Sequence, residues 1–231
     1  MTVHPSIQRI ISEFEAKELH AARSGREVME ALAAVIAESQ ASNLEDLAFD
    51  LDWNIETLLV AMPAYAPPLN VVHQVYRRYE QALAKRESVE DLKKGVSAHA
   101  AAFREWTTRA RGKITAFGSA VFPDGGAIFT FTYSETVFQT LRKAWKKGQK
   151  FRVLVTESRP NNDGRLTARS LADEGIDVEI GIDGGLGELI PQADVMLVGA
   201  EAILSDGSAI CKAGTYPSAL IAKQNKIPVY V

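Results

Sequence analysis

Hydrophobic positions change period once along this chain. Up to residue 111 they recur every three or four positions, and from Lys113 onward they come in short unbroken runs. Ile7, Ile10, Ile11 and Phe14 fall on one helical face, and Pro5 suits a first turn. Ser24 reads as the cap of a helix striped by Val28, Leu32, Val35 and Ile36. Leu44, Leu47, Leu51, Leu58 and Leu59 continue the pattern, in one helix with a break. Residues 62–68 read as a connector, because Pro63, Pro67 and Pro68 oppose a helix interior. A helical pattern resumes over 69–85. Ser88-Val-Glu-Asp91 then resembles a capping box, opening a last helix that runs to Arg111.

The second half carries apolar runs at 127–131, 151–155, 178–182, 195–199 and 227–231. Helical segments at 134–147, 164–174, 185–190 and 215–225 separate them. This alternation predicts parallel strands buried on both faces of a doubly wound sheet. Gly148, Gly175 and Asn225 sit where left-handed helix caps are favoured. Asp206-Gly207 marks a tight hairpin turn. The run at 227–231 reads as a central strand, which leads us to expect that the natural polypeptide, or its relatives, continue. The expected architecture is α/β, with a helical subdomain over 1–111 and a parallel-sheet domain over 112–231.

The runs end in polar residues: Thr132; Thr156, Glu157 and Arg159; Asp183; and Glu201. The carboxyl ends of parallel strands share one edge, where ligands bind. Thr132, Glu157, Arg159, Asp183 and Glu201 are therefore expected in one crevice.

Charge narrows the partners. The net charge of −3, without a block of like charges, argues against nucleic acid as the main partner. No apolar run approaches the ~20 residues of a membrane span, and residues 1–20 lack the pattern of a signal peptide. A single cysteine, Cys211, excludes an internal disulfide and a cysteine-cluster metal site. His4, His20, His73 and His99 are scattered, so no metal and no cofactor are expected. The expected location is the cytoplasm.

Thr156-Glu-Ser-Arg-Pro160, Gly164, Val198-Gly-Ala-Glu-Ala-Ile203, Asp206-Gly207, Lys212-Ala-Gly-Thr-Tyr216 and Ile227-Pro-Val-Tyr-Val231 form a series. It resembles the signatures of the translation initiation factor 2B-related family, specifically across 125–231. Over 1–111 only the helical layout and Arg23-Ser-Gly25 fit. The family holds the alpha, beta and delta regulatory subunits, methylthioribose-1-phosphate isomerase and ribose-1,5-bisphosphate isomerase. The resemblance implies a helical domain followed by a Rossmann-like domain. It also implies a longer chain, since relatives usually add a strand and helix beyond the position of Val231. In the isomerases of the family a cysteine and an aspartate form the acid/base pair. Here the first stretch reads Thr130-Phe-Thr-Tyr133, so the cysteine position is Thr132, and the aspartate position is Glu201. Both departures look more like the regulatory alpha subunit. Lys212 matches the family lysine beside the substrate. The family's arginine-proline phosphate motif falls at 64–68, where this chain has no arginine.

A threonine hydroxyl ionises far from neutral pH, so Thr132 does not replace a thiol as an acid/base group. Glu201 remains a candidate base, and Cys211, beside Lys212, a candidate partner with a lowered pKa; the plain alternative is a small buried hydrophobe. Arg159 reads either as a phosphate ligand or as a salt bridge to Glu157 or Asp183. Lys212 has the same two readings. Asp183, before Gly184-Gly-Leu-Gly187, suits a ribose contact or a plain loop. Thr215 suits a helix cap or a phosphate contact, and Tyr133 a ligand stack or core packing. Trp106 and Trp145 read as core or interface. Three functions stay open. The first is a binding protein for a sugar phosphate or nucleoside monophosphate. The second is an aldose–ketose isomerase using Glu201 and Cys211. The third is an interaction protein with a vestigial site. A homodimer through the α/β domain, with help from the helix around Trp145, is expected in each case.

Overall fold

The computed structural model describes residues 2–16, 19, 21–62 and 66–231. The chain divides into two compact units, Met1–Arg109 and Ala110–Val231. The first contains α1 (Pro5–Glu15), α2 (Ala21–Glu38), α3 (Leu44–Ala61), α4 (Ala66–Lys85) and most of α5 (Val89–Gly118). Its core is formed by helix stripes: Ile7 and Ile10 from α1, Leu32 and Ile36 from α2, Leu47, Leu51 and Leu58 from α3, and Leu92 from α5 are all buried. Burial of each such side chain contributes about 1.5–3 kcal/mol. Caps fix where the helices begin. Asn43 Oδ1 accepts the Asp46 N–H at 2.9 Å at the start of α3. Before α5 the capping box forms in both directions: Ser88 Oγ accepts the Asp91 N–H at 3.1 Å, and Asp91 accepts the Ser88 N–H at 3.4 Å.

Several expectations are corrected here. Ser24 lies inside α2 and is buried, so it is not a cap. α3 runs without a break. Pro67 and Pro68 are in the first turn of α4, where a missing N–H leaves no intrahelical bond unmade. Residues 63–65 of the expected connector lie outside the described residues. α5 continues past Arg111 to Gly118, because Ile114 and Phe117 obey a helical spacing that resembles the onset of a strand run.

In the second unit, β1 (Gly126–Thr130), α6 (Glu135–Lys146), β2 (Phe151–Thr156), α7 (Asp163–Asp173) and β3 (Asp177–Gly181) come first. Helical turns over 183–192 follow, including α8 (Leu186–Leu189). They lead to β4 (Val195–Leu197), the hairpin β5 (Ala202–Ile203) and β6 (Ala209–Ile210), α9 (Thr215–Gln224) and β7 (Val229–Tyr230). The sheet order is β3-β2-β1-β4-β7, with every pairing parallel. Alternation along each strand separates two cores. Ile128, Val153 and Val195 pack with Leu141 of α6 and Leu171 of α7. Phe129, Leu154 and Met196 face the other way, with Ile190 and Ala222. The chain winds outward from β1 to β3 and then returns to β4, so the switch of direction falls between β1 and β4.

One strand is less covered than its apolar run suggested. β3 lies at one edge of the sheet and leaves Ile180 47% exposed, with Ile182 beyond it 67% exposed. β7 pairs with β4 in parallel, Met196 opposite Val229 and Leu197 opposite Tyr230. A short apolar run shows hydrophobicity but not how many neighbours the strand has. The Asp206-Gly207 hairpin forms, with Gly207 at φ +83°. Gly148 and Gly175 adopt the left-handed conformation, but Asn225 does not: its neighbour Lys226 does, at φ +59°. No helix among the described residues is long and apolar enough to cross a membrane.

Candidate functional site

The carboxyl edge of the sheet concentrates unusual backbone. Beyond β1, Thr132 sits at φ +63°, a strained region for a β-branched residue, at a cost of about 1–3 kcal/mol. Its surroundings hold it there. The Thr132 N–H donates to Ser158 Oγ at 3.0 Å, and the Thr132 carbonyl accepts from Thr167 Oγ1 at 2.8 Å. Beyond β2, Ser158 and Asn162 are also left-handed, at +59° and +60°, and the Arg159-Pro160 bond is cis.

Asp183, just after β3, supports that loop. Its carboxylate accepts the Ser158 N–H at 2.8 Å and the Arg159 N–H at 2.7 Å. Burial pushes the Asp183 carboxyl upward. The Arg159 and Ser158 amides and the nearby Thr156 hydroxyl outweigh it, together with the Arg159 charge, and hold it below the ordinary aspartate value. Asp183 is thus engaged with the backbone of the 158–159 loop. The salt bridge considered between Arg159 and Glu157 does not form either: Glu157 pairs with Arg165 at 2.8 Å. The exposed Arg159 guanidinium makes a long contact of 3.4 Å to Asn162 Oδ1.

Two helix N-termini meet this edge without side-chain caps. α7 begins after Asn162, and a Cβ on Gly164 would collide with the Thr156 carbonyl, so only glycine allows the approach. α9 begins after Gly214, at φ +98°, where a Cβ would strike the Phe131 ring. α6, in contrast, is capped by Ser134. Lys212 Nζ pairs with Asp163 in the first turn of α7. Thr215 is buried, and its N–H donates to the Lys212 carbonyl at 3.1 Å. Uncapped amides and two cations suit an anion.

Glu201 and Cys211 interact at the base of the hairpin, where the Glu201 N–H donates to the Ile210 carbonyl at 2.8 Å. Burial, and then the Glu201 charge, push the Cys211 thiol up. This corrects the expected lowering by Lys212, whose ammonium is turned to Asp163. No hydrogen bond among the described residues joins Glu201 or Cys211 to Thr132. Tyr133 directs its hydroxyl to Glu135 at 2.7 Å; burial, and then that carboxylate, push its ionisation up. Ser158, Asn162, Asp163 and Thr167 shape this edge and were not singled out from the sequence, although Ser158 lies within Thr156-Glu-Ser-Arg-Pro160 and Asn162-Asp163 directly precedes Gly164.

Beside this edge, an apolar cleft of ≈ 610 Å³ is lined by Ile114, Phe117, Leu197, Ile203, Tyr230 and Val231, among others. Trp145 is directed inward, edge-on to Phe151 at 5.6 Å, with Lys150 over its ring at 4.5 Å. No group of three or more His, Cys, Asp or Glu among the described residues is placed to hold a metal ion.

A family model described as the Initiation factor 2 subunit family matches residues 18–231. The chain is 32% identical over 193 residues to the ribose 1,5-bisphosphate isomerase of Archaeoglobus fulgidus, covering 83% of this chain. It spans 60% of that relative's length. The solved structure of the Pyrococcus horikoshii translation initiation factor eIF-2B superposes with a TM-score of 0.80 at 28% identity, over 99% of this chain and 78% of that one. The tetrameric eIF2B-beta2-delta2 complex from C. thermophilum contains a chain with the same fold, at a TM-score of 0.87 and 24% identity, over 99% of this chain and 76% of that one.

Proposed function

The chain belongs to the Initiation factor 2 subunit family, and on that premise we propose that its carboxyl-edge crevice binds the phosphate of a sugar phosphate or nucleoside monophosphate in a regulatory role. The observation that carries this reading is the convergence of Arg159 and Lys212 on the uncapped N-termini of α7 and α9. A bound phosphate competes with Asp163 for Lys212 and takes the free face of Arg159. Thr132, Tyr133, Glu201 and Thr215 contribute the remaining contacts, and Asp183 acts by shaping the loop. Proton transfer is poorly served. Thr132 has no accessible ionisation, both Asp183 oxygens accept backbone amides, and the Cys211 thiol is pushed away from thiolate. Isothermal calorimetry with ribose phosphates and nucleoside monophosphates tests the reading. Saturable heat at or below millimolar ligand is expected, and its loss in Arg159→Ala and Lys212→Ala. A folded sample giving no heat with any of them overturns it.

An isomerase reading is favoured by the likeness to the Archaeoglobus fulgidus protein. It requires Glu201 and Cys211 as the acid/base pair. Turnover of ribose 1,5-bisphosphate that disappears in Glu201→Gln supports it; no product over hours at micromolar enzyme removes it.

The same proposal places the protein in the cytoplasm as a homodimer. The α/β unit forms the contact, two-fold association being the commonest assembly. The tetrameric C. thermophilum complex lends this support. Light scattering that returns the single-chain mass of 25.2 kDa overturns the dimer.

A further inference from the structure

The helical unit has an outer face that its own core does not explain. On α3, Phe49, Trp53 and Val60 are exposed, at 64%, 40% and 76%. By helical spacing these three lie within a narrow stripe, bordered by Glu45, Asp52 and Glu56 on one side and by Asp46 on the other. On α4, Leu69, Tyr76 and Leu83 recur every seventh residue; Leu69 and Leu83 are exposed and Tyr76 is half-buried. Trp53 and Val60 have the same spacing. The Tyr76 hydroxyl donates to Asp52 Oδ1 at 2.5 Å and ties the two stripes side by side. Apolar residues seven apart on neighbouring helices make a seam into which a further helix packs.

Charge says which helix. α3 carries Glu45, Asp46, Asp50, Asp52 and Glu56 and has no lysine or arginine. Among the described residues none of these carboxylates is in an ion pair. Their field reaches α4: burial, then Asp52 and Glu45, push the ionisation of Tyr79 up. The cations of α4 do not neutralise the seam. Arg78 is engaged by Glu87 at 2.5 Å, and Arg77 and Lys85 fall off the stripe of Leu69, Tyr76 and Leu83 by helical spacing. Such a face repels nucleic-acid phosphates and anionic lipid, and it attracts a cationic segment.

We propose that the α3–α4 face is a docking surface for a basic amphipathic helix of a partner protein. Its apolar side chains cover Phe49, Trp53, Val60 and Leu69, and its lysines or arginines meet Glu45, Asp52 and Glu56. The stripe from Phe49 to Val60 is about 16 Å long, the length of a three-turn helix. The flanking charges set orientation and speed of encounter more than affinity.

The test uses the full chain labelled with ¹⁵N, whose tryptophan indoles report separately on Trp53, Trp106 and Trp145. Trp53→Phe assigns the first signal. The probe is a synthetic helix of about 18 residues, built from leucine and lysine at seven-residue spacing; the control peptide has glutamate for lysine. The Trp53 signal is expected to shift saturably with the lysine peptide and to ignore the glutamate peptide. Affinity by calorimetry is expected to fall at least about tenfold in Phe49→Ser/Val60→Ser, and severalfold in Glu45→Gln/Glu56→Gln. These positions are all exposed, so folding is retained, and circular dichroism checks it. A Trp53 signal that does not move, equal binding by the variants, or equal binding of the two peptides overturns the proposal. So does sedimentation showing self-association of the unmodified chain that Phe49→Ser/Val60→Ser abolishes, because the occupant is then a second copy.

Discussion

The two edges of the parallel sheet use the same backbone conformation with different residues. At the amino edge the left-handed positions before β1, β2 and β3 are Gly125, Gly148 and Gly175. At the carboxyl edge of β1 and β2 they are Thr132, Ser158 and Asn162. Glycine adopts this conformation without strain, whereas a threonine is forced into it. The turns before β1, β2 and β3 therefore cost little, and those after β1 and β2 must be enforced by neighbouring groups. Strain held by Asp183, Ser158 and Thr167 around one crevice is what the proposed binding role asks of this edge.

The largest test of this contrast substitutes a glycine at each edge. Gly164→Ala drives a Cβ into the Thr156 backbone and is expected to destabilise the protein by more than about 3 kcal/mol. Gly148→Ala has open space around it, carries only the positive-φ penalty and is expected to cost about 1–2 kcal/mol. Urea denaturation compares them, and equal losses would remove the distinction. Next in size, Asp183→Asn gives up a charged acceptor of two amides and is expected to cost about 2 kcal/mol at neutral pH. The folded carboxyl lies below its unfolded value, so its contribution is complete above the unfolded value of about 3.9 and disappears as pH falls through the folded one. Stability curves of the wild type and Asp183→Asn should converge in acid; a constant gap down to low pH contradicts the role given to the charge. Arg159→Ala should weaken phosphate binding at least about tenfold, roughly 1.4 kcal/mol, while leaving stability within about 0.5 kcal/mol. A parallel loss of stability would mean that the guanidinium holds the loop together instead. The smallest effect is expected at Lys226, an exposed left-handed residue at the amino edge. Lys226→Gly should stabilise by about 0.5–1 kcal/mol without touching ligand affinity, which calorimetry and thermal melts both report.

The sequence made the strand runs legible because Ile128, Phe129, Val153 and Leu154 are buried in alternation against two cores, and such strands are apolar throughout. The gathering of Thr132, Arg159 and Asp183 was legible for a topological reason, since parallel strands end at one edge. The job of Asp183 was not. Its type fits a pair of amides among other contacts, and those amides come from a loop that follows another strand. The contact of Ser158 was hidden for the same reason, as its hydroxyl matters because Thr132 comes within reach. The edge position of β3 also escaped, because hydrophobicity along a strand does not record its neighbours. In the helical unit, Ser24 had the right type for a cap but lies within α2, and the end of α5 was masked by Ile114 and Phe117.

β3 is an edge strand, and the Ser158–Arg159 loop rests on the carboxylate that follows it. A strand with a neighbour on one side frays more readily than the interior β1 and β2. Each such opening withdraws Asp183 and releases the loop, so the crevice loses its shape while the rest of the sheet stays folded. In hydrogen-exchange terms, the Ser158 and Arg159 amides should exchange at the rate of the β3 ladder rather than with the β1–β2 core. A phosphate that closes over Arg159 would slow them together with amides of β3 that it never touches. Occupancy of the crevice would then be readable at the far side of the sheet.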